Sequence, residues 1–464
     1  MFNFNRINQS FSEENIPILG RSLPSLLDEA CDHFPNSHAL NQWHKKSCDS
    51  KSNREFRLTA EEVALGLQTT NITKGDRVAL LMHSGLSFCL ADMACLLAGT
   101  VNVPIDLTQT LDNIAFILNH SEAKVLMVSN LDLLAQIIPH IEANPYLETV
   151  IVVDVPENWQ KKKHELLTCQ EVSTATGAEI VCQTKLTDAI SKDKTVFHPA
   201  CLSIPMLLCQ ARLDHSCHQI PQCLQLFSLE EIQVQGNKLW TVAKTKDLRS
   251  SITAQDLATI IYIAGDTGQP KGVMLSHENI TAGILTTFKT IKNLKKGAKE
   301  TVLSFLPLNH IFARALIYAH LNYGHSIHFT TPHRALQHFK LVKPTIVATV
   351  PRLLEKVYSK IRDRGSKLRG IKKIVFNWAL RLAQDYELGA KIPLFYAWQL
   401  KLADILVFSQ WRSPFGGKLR YFISGGAALK AEIANVLSST GINVLQGYGL
   451  TETSSVICCN RGEF

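Results

Sequence analysis

The residues best suited to chemistry lie in one short run. A β-branched stretch over 258–263 leads into Ala264-Gly265-Asp266-Thr267-Gly268-Gln269-Pro270-Lys271-Gly272. Gly265, Gly268 and Gly272 let the backbone turn tightly and bare its N–H groups. Thr267 adds a hydroxyl donor and Lys271 a mobile cation, a combination that suits a polyphosphate. This is not a Walker A loop, because no Gly-Lys-Ser/Thr stands at the required spacing. A second candidate, Asp214-His215-Ser216-Cys217-His218 with Cys223, has ligand-type residues. Its spacing fits no standard zinc pattern, so loop or buried thiols with solvated histidines are the favoured reading.

The elements that must position the loop alternate. Strands are expected over Arg77–Met82, Lys124–Val128, Thr149–Val153, Ala258–Ile263, Thr301–Leu306, Ser326–Phe329, Thr345–Val350, Leu419–Ser424 and Asn443–Gln446. Helical spacing fills Leu23–His33, Thr59–Thr69, Leu86–Leu97, Leu111–His120, Arg352–Arg362 and Lys430–Ser438. Such alternation predicts an α/β fold with parallel sheets covered by helices. The rhythm breaks between about 158 and 225, where six of the twelve cysteines fall. The expected organisation is a first α/β subdomain over 1–157, an irregular cysteine-rich insertion over 158–225, and a second α/β subdomain over 226–464.

The loop resembles the Tyr-Thr-Ser-Gly-Thr-Thr-Gly-x-Pro-Lys-Gly signature of the adenylate-forming superfamily, with Tyr262, Gly265, Thr267, Gly268, Pro270, Lys271 and Gly272 in agreement. Further segments, in the same order, are similar to the long-chain acyl-CoA synthetases. They are Gly75–Leu81, Leu97–Pro104, Leu303–Phe312 with its Leu-Pro-Leu-Asn-His, the Val350-Pro351-Arg352 helix start, Ser424-Gly425-Gly426-Ala427-Ala428, and Gln446-Gly447-Tyr448-Gly449-Leu450-Thr451-Glu452-Thr453. The resemblance implies a large body of stacked, mostly parallel sheets with flanking helices. It also implies a two-step reaction that consumes ATP, Mg²⁺ and CoA: a fatty acid is adenylated and then passed to the thiol.

The resemblance assigns Thr267, Lys271, His310, Thr451 and Glu452 to catalysis, with Thr267 and Glu452 also holding Mg²⁺. Gly265, Asp266, Gly268, Gly272, Gly425, Gly426, Ala427, Tyr448 and Gly449 would line the nucleotide. The residue types agree with these roles. A Gly-Gly-Ala strand end admits a flat base against the backbone, Tyr448 can stack on it, Thr451 can hydrogen-bond the α-phosphate, and Glu452 is a hard oxygen ligand.

Two departures bear on activity. Hydroxyls of the family loop are replaced at Ile263, Ala264 and Asp266. At about 5 Å and an effective dielectric of about 20, the Asp266 charge would oppose each phosphate charge by about 3 kcal/mol, on the order of a hundredfold in affinity. The sequence given also stops at Phe464, before the family's ribose-binding aspartate, hinge and mobile lid. The expectation is therefore an acyl-CoA ligase with the C-terminal lid absent and activity impaired. The alternative is a non-catalytic relative that binds nucleotide, acyl chain or membrane. An unrelated NTP-binding protein is disfavoured by the missing Walker motif.

Composition bounds the setting. With 46% hydrophobic and 19% charged residues, the chain can build a large core. No secretory leader is evident, and twelve cysteines without one suggest reduced thiols in the cytoplasm. The apolar run 86–105 carries Asp92 and ends in Val-Asn-Val-Pro, so a buried helix feeding a strand is expected, and not a membrane span. The net charge of +8 gathers in 360–420, with thirteen Lys and Arg against four acids. The same stretch holds Trp378, Trp398 and Trp411. Basic residues beside aromatic ones suit peripheral contact with an anionic membrane; the alternative is that the aromatic residues are core and the lysines a solvated face. Nucleic acid is not expected, since no binding motif accompanies the charge.

Overall fold

The computed structural model describes residues 17–44, 47–141, 144–167, 224–265, 268–388 and 390–460. The cysteine-rich stretch, with its Asp214–Cys223 cluster, therefore lies almost wholly outside the described residues. In chain order the described strands are β1 (Leu40–Trp43), β2 (Cys48–Lys51), β3 (Arg77–Leu81), β4 (Val101–Pro104), β5 (Ala123–Asn130), β6 (Thr149–Asp154), β7 (Gln225–Ser228) and β8 (Leu257–Ile263). They continue as β9 (Lys271–Ser276), β10 (Thr301–Ser304), β11 (Ser326–Phe329), β12 (Ile346–Thr349), β13 (Tyr421–Ser424), β14 (Asn443–Tyr448) and β15 (Cys458–Cys459).

They form two sheets. One runs β7-β6-β5-β3-β4-β8-β9, the other β15-β14-β13-β12-β10-β11-β1-β2. Interior pairings are parallel, and antiparallel pairs close three of the four edges: β8–β9, β1–β2 and β14–β15. Each parallel crossover passes through a helix, as right-handed βαβ connections require. The sheets interleave in sequence. β1 lies beside β11, Leu40 opposite Ile327, so two early strands complete the later sheet. β8 returns to pair with β4.

The helices follow local rules. Ser52 caps the helix Asn53–Leu67 and shares a capping box with Glu55; Ser228 and Glu231 do the same for Leu229–Leu239. These two helices cross so closely that a Cβ on Gly236 would stand 1.7 Å from the Glu62 carbonyl oxygen, and one on Gly66 2.0 Å from that of Ile232. Only glycine fits either position. The helix Leu86–Leu97 feeds β4 as expected and is buried along nearly its whole length. No described helix is long and apolar enough to cross a membrane.

The charge inside that helix is met from the other sheet. Arg314, on the helix Ile311–Asn322, is fully buried and donates to Asp92 Oδ1 at 2.5 Å and to Thr259 Oγ1 at 2.9 Å. Tyr318 Oη donates to the same carboxylate, and Asn102 Nδ2 reaches it at 2.5 Å. Burial alone disfavours a charged guanidinium, and the Asp92 carboxylate outweighs that penalty. The network fastens the helix leading out of β10 to β4 and β8.

Candidate functional site

The loop singled out by its glycines is the turn of the β8–β9 hairpin, with Ile263 opposite Lys271 and Tyr262 opposite Gly272. Gly265 is required because a Cβ there would meet the Gln269 carbonyl oxygen at 2.0 Å. Gly268 adopts φ +86°, and its N–H donates to the Gly265 carbonyl at 3.1 Å. Across the strands a Cβ on Gly272 would press on Ile260 at 2.9 Å and on the Tyr262 ring at 3.2 Å. The Tyr262 hydroxyl, its pKa pushed up to about 12 by burial, is held 2.8 Å from His120 Nδ1. Lys271 is exposed at the first position of β9. Asp266 and Thr267 lie outside the described residues.

The remaining candidates gather at the C-terminal ends of the larger sheet's parallel strands, the edge where open α/β sheets bind ligands. Gly425 follows β13 and is buried against Phe312; a Cβ would stand 2.9 Å from that ring. Gly426 has φ +81° with nothing within 4 Å of a Cβ, and Ala427 is exposed beside it. Tyr448 ends the adjacent β14 and is 60% exposed. A Cβ on Gly449 would overlap the Ser455 carbonyl at 1.5 Å. Thr451 and Glu452 form a 3-10 turn whose exit is strained: Ser454 and Ser455 take φ 62° and 100° without being glycine. Among the hydrogen bonds that hold it are those from Ser454 N to Thr451 O at 3.1 Å and from Ser455 N to Leu450 O at 3.2 Å. This turn lies against β9. The strand that begins with Lys271 and the turn that carries Glu452 are thus neighbours.

His310 is the N-cap of the helix Ile311–Asn322. Its Nε2 is 3.5 Å from Asp106 Oδ2, and the side chain is 63% exposed. Asn309 donates to the same oxygen at 2.8 Å, and Ser84 Oγ receives the Leu308 N–H at 2.8 Å. Burial pushes the Asp106 carboxyl up, but hydrogen bonds from the Thr108 backbone and hydroxyl, the Asn309 amide and the field of His310 bring it below the usual range. Phe312, two residues on, is the ring that covers Gly425, so His310 stands near the β13 end. Sequence reasoning did not find Asp106, Phe312 or Asn309 as partners. Asp106 was legible in principle, as a carboxylate just past the end of a buried strand.

The donor set suits a nucleotide. Gly426 offers bare backbone with open space for a flat ring, and the buried Ser424 hydroxyl just before it has no hydrogen-bond partner among the described residues. No group of three His, Cys, Asp or Glu able to hold a metal occurs among the described residues. Magnesium needs no such cage, since it is bound through one or two carboxylates plus substrate phosphates, and Glu452 would be that carboxylate.

Behind this edge lies a mostly apolar cavity of about 290 Å³. Phe288, Ile291, Leu316, Ile423, Leu445 and Val456 are in its wall. Phe312 and Gly447 belong to both the wall and the strand-end edge.

Residues 27–463 match the family described as AMP-binding enzyme. Long chain acyl-CoA synthetase 4 of Arabidopsis thaliana is 36% identical over 204 residues, covering 43% of this chain and 30% of that protein. Long-chain-fatty-acid–CoA ligase FadD15 of Mycobacterium bovis is 27% identical over 434 residues, 90% of this chain and 58% of its own length. The chain therefore spans less than two thirds of these relatives. Among solved structures, a long-chain-fatty-acid-CoA ligase from Archaeoglobus fulgidus superposes with a TM-score of 0.59 at 17% identity, over 97% of this chain and 68% of that one, a likeness of fold. With its stacked sheets and a match over nearly its whole length, the chain belongs to the AMP-binding enzyme family.

Proposed function

We propose that this chain serves the ATP-dependent activation of a long-chain fatty acid for transfer to CoA. The observation that carries the reading is the strand-end edge. There Gly425–Ala427, Tyr448, Thr451 and Glu452 stand beside the Lys271 hairpin and back onto an apolar cavity. At the small end of ligand pockets, that cavity fits an acyl chain better than a polar substrate.

In the first step a carboxylate oxygen bonds to the α-phosphorus of ATP while the bond to the β-phosphate bridging oxygen breaks. The products are acyl-AMP and pyrophosphate. In the second, the CoA sulfur bonds to the acyl carbon and AMP leaves with its electron pair. Gly425–Ala427 and Tyr448 would sandwich the base. Thr451 would donate to the α-phosphate, and Lys271 would neutralise charge as the pyrophosphate departs. Glu452 would hold magnesium together with the phosphates, and the ion would supply Lewis-acid neutralisation there. His310, kept beside Asp106 at the mouth, would orient the incoming carboxylate. The hydroxyl of Thr267 belongs to the same proposal.

A substrate of this kind partitions into lipid, and we place the protein in the cytoplasm with peripheral contact to an anionic membrane. The test of the ligase reading is ATP–pyrophosphate exchange with palmitate and Mg²⁺. Exchange that depends on palmitate, and falls at least a hundredfold in Lys271→Ala and Glu452→Gln, is expected. Palmitate-independent exchange, or none under any condition, overturns the reading.

A further inference from the structure

The chemistry proposed for the strand-end edge leaves one surface unused. The helix Leu394–Ala403 and the π-turn that continues it, Asp404–Phe408, turn one face inward, where Ala403, Val407 and Phe408 join the core with Trp411 and Phe415. Their other face is apolar too. Leu394 is 92% exposed, Phe395 69%, Trp398 60% and Ile405 74%, with Leu402 and Leu406 between. The spacing is one continuous helical stripe. Stacked Phe395 and Trp398 rings, 6.3 Å apart, stand in it. On the contacting helix Gly370–Gln384, Ile371 and Ile374 are also outward, flanking exposed Lys372 and Lys373. Of the three tryptophans in 360–420, Trp398 is exposed, Trp411 is buried and Trp378 is half-buried.

Beside the stripe runs an open groove of about 620 Å³, with Lys401 and Ile405 on one wall and Lys418 and Gly441 on another. Its acid is already neutralised: Asp404 is paired with Arg412, which also donates to the Thr440 carbonyl. Arg420 is held by Glu300. Lys401 and Lys418 are exposed, and among the described residues neither has a hydrogen-bond or ion-pair partner. An apolar stripe bordered by uncompensated cations has the composition of an interfacial helix. Aromatic rings favour the headgroup level. Each lysine near an anionic leaflet adds attraction. A second copy of this chain is a poorer occupant, since a two-fold contact sets the same cations against each other.

We propose that this face docks on an anionic phospholipid bilayer, with Leu394, Phe395, Trp398 and Ile405 entering the headgroup–acyl boundary and Lys401 and Lys418 holding a lipid phosphate in the groove. The inference rests on the membrane reading of 360–420 for its purpose and on the surface itself for its test. The purified chain is sedimented with phosphatidylcholine vesicles and with phosphatidylcholine–phosphatidylserine vesicles, without ATP or fatty acid, so a failed ligase assay leaves this measurement intact. Binding is expected to the anionic vesicles at low salt and to fade as salt rises. Leu394→Gln/Phe395→Ser/Trp398→Gln, exposed positions that keep the far-ultraviolet dichroism, should lose roughly tenfold or more in binding. Lys401→Gln/Lys418→Gln should lose a similar factor on anionic vesicles only. Brominated lipid should quench wild-type fluorescence more than that of Trp398→Phe. Wild type that ignores anionic vesicles overturns both the face and the membrane reading. Wild type that binds as well as both multiple variants overturns this face alone. Concentration-dependent dimerisation abolished by the triple variant gives the stripe to a second copy.

Discussion

Two acid–base pairs sit four residues apart on one helix and behave as opposites. One turn in, Arg314 and Asp92 are sealed from water, and the guanidinium's hydrogen bonds end on the carboxylate, on Thr259 and on the Tyr318 hydroxyl. At its start, His310 and Asp106 meet at 3.5 Å with the imidazole largely in solvent. The first pair has no freedom to meet a ligand; the second has no packing that fixes it. A single helix thus carries its anchor inside and a solvent-facing pair at its start. The rigidity of the anchor is what holds His310 over the β13 terminus.

The contrast is sharpest in stability. Arg314→Met strands a buried carboxylate and should cost about 3–5 kcal/mol, read as a shift in the denaturant midpoint. A cycle with Asp92→Asn should show strong coupling between the two; additive losses would mean that the pair is not one unit. His310→Ala, by comparison, should stay within about 0.5 kcal/mol of wild type while lowering pyrophosphate exchange. A large loss of stability there would erase the distinction. Gly425→Ala falls between: its Cβ would press on Phe312 at 2.9 Å, and the displacement should cost about 1–3 kcal/mol.

Acid separates the buried from the open in a different order. Burial brings His277, His325 and His328 down to about 4 from an ordinary 6.5. Between those values the unfolded chain takes up protons that the folded chain refuses. Stability should therefore fall as pH drops from 6.5 toward 4 and stop falling, on their account, below that. Asp106, held below its ordinary 3.8, contributes stability that is complete above that value and lost as pH falls through the lowered one. Melting curves of Asp106→Asn should match the wild-type slope above pH 4 and differ only beneath it. The smallest effect expected is that of salt on the His310–Asp106 contact, worth about 0–1 kcal/mol.

Much of this was legible in the chain. The helices Leu23–His33, Leu86–Leu97 and Leu111–His120 have the bounds that apolar spacing predicts, because each buries one face, or nearly all of itself, against neighbouring helices or strands. The helix expected over Thr59–Thr69 begins earlier, at Asn53, since Ser52 and Glu55 form a capping box that the apolar count ignores. β1 and β2 escaped notice: Leu-Asn-Gln-Trp and Cys-Asp-Ser-Lys lack β-branched runs, being an edge hairpin whose polar side chains meet solvent or hydrogen bonds. β9 was hidden by the glycines and lysine of the loop it follows. In the site, Gly265, Gly425 and Gly449 lie where a Cβ would meet neighbouring protein atoms, while Gly268 and Gly426 are needed for positive φ. The Asp92–Arg314 network was foreshadowed only by a carboxylate in an apolar helix, and a buried charge demands a partner whose position spacing cannot supply.

The pairing of β1 with β11 has a temporal side. Leu40 and Ile327 lie side by side in the finished sheet, yet the ribosome delivers them far apart in time. At roughly 5–20 residues per second, the β1–β2 hairpin waits on the order of 15–60 s for its parallel neighbour. Throughout that interval it offers an unpaired edge to whatever else is nascent nearby. The β1–β2 hairpin is thus a late-folding element, completed only when a strand made long after it arrives.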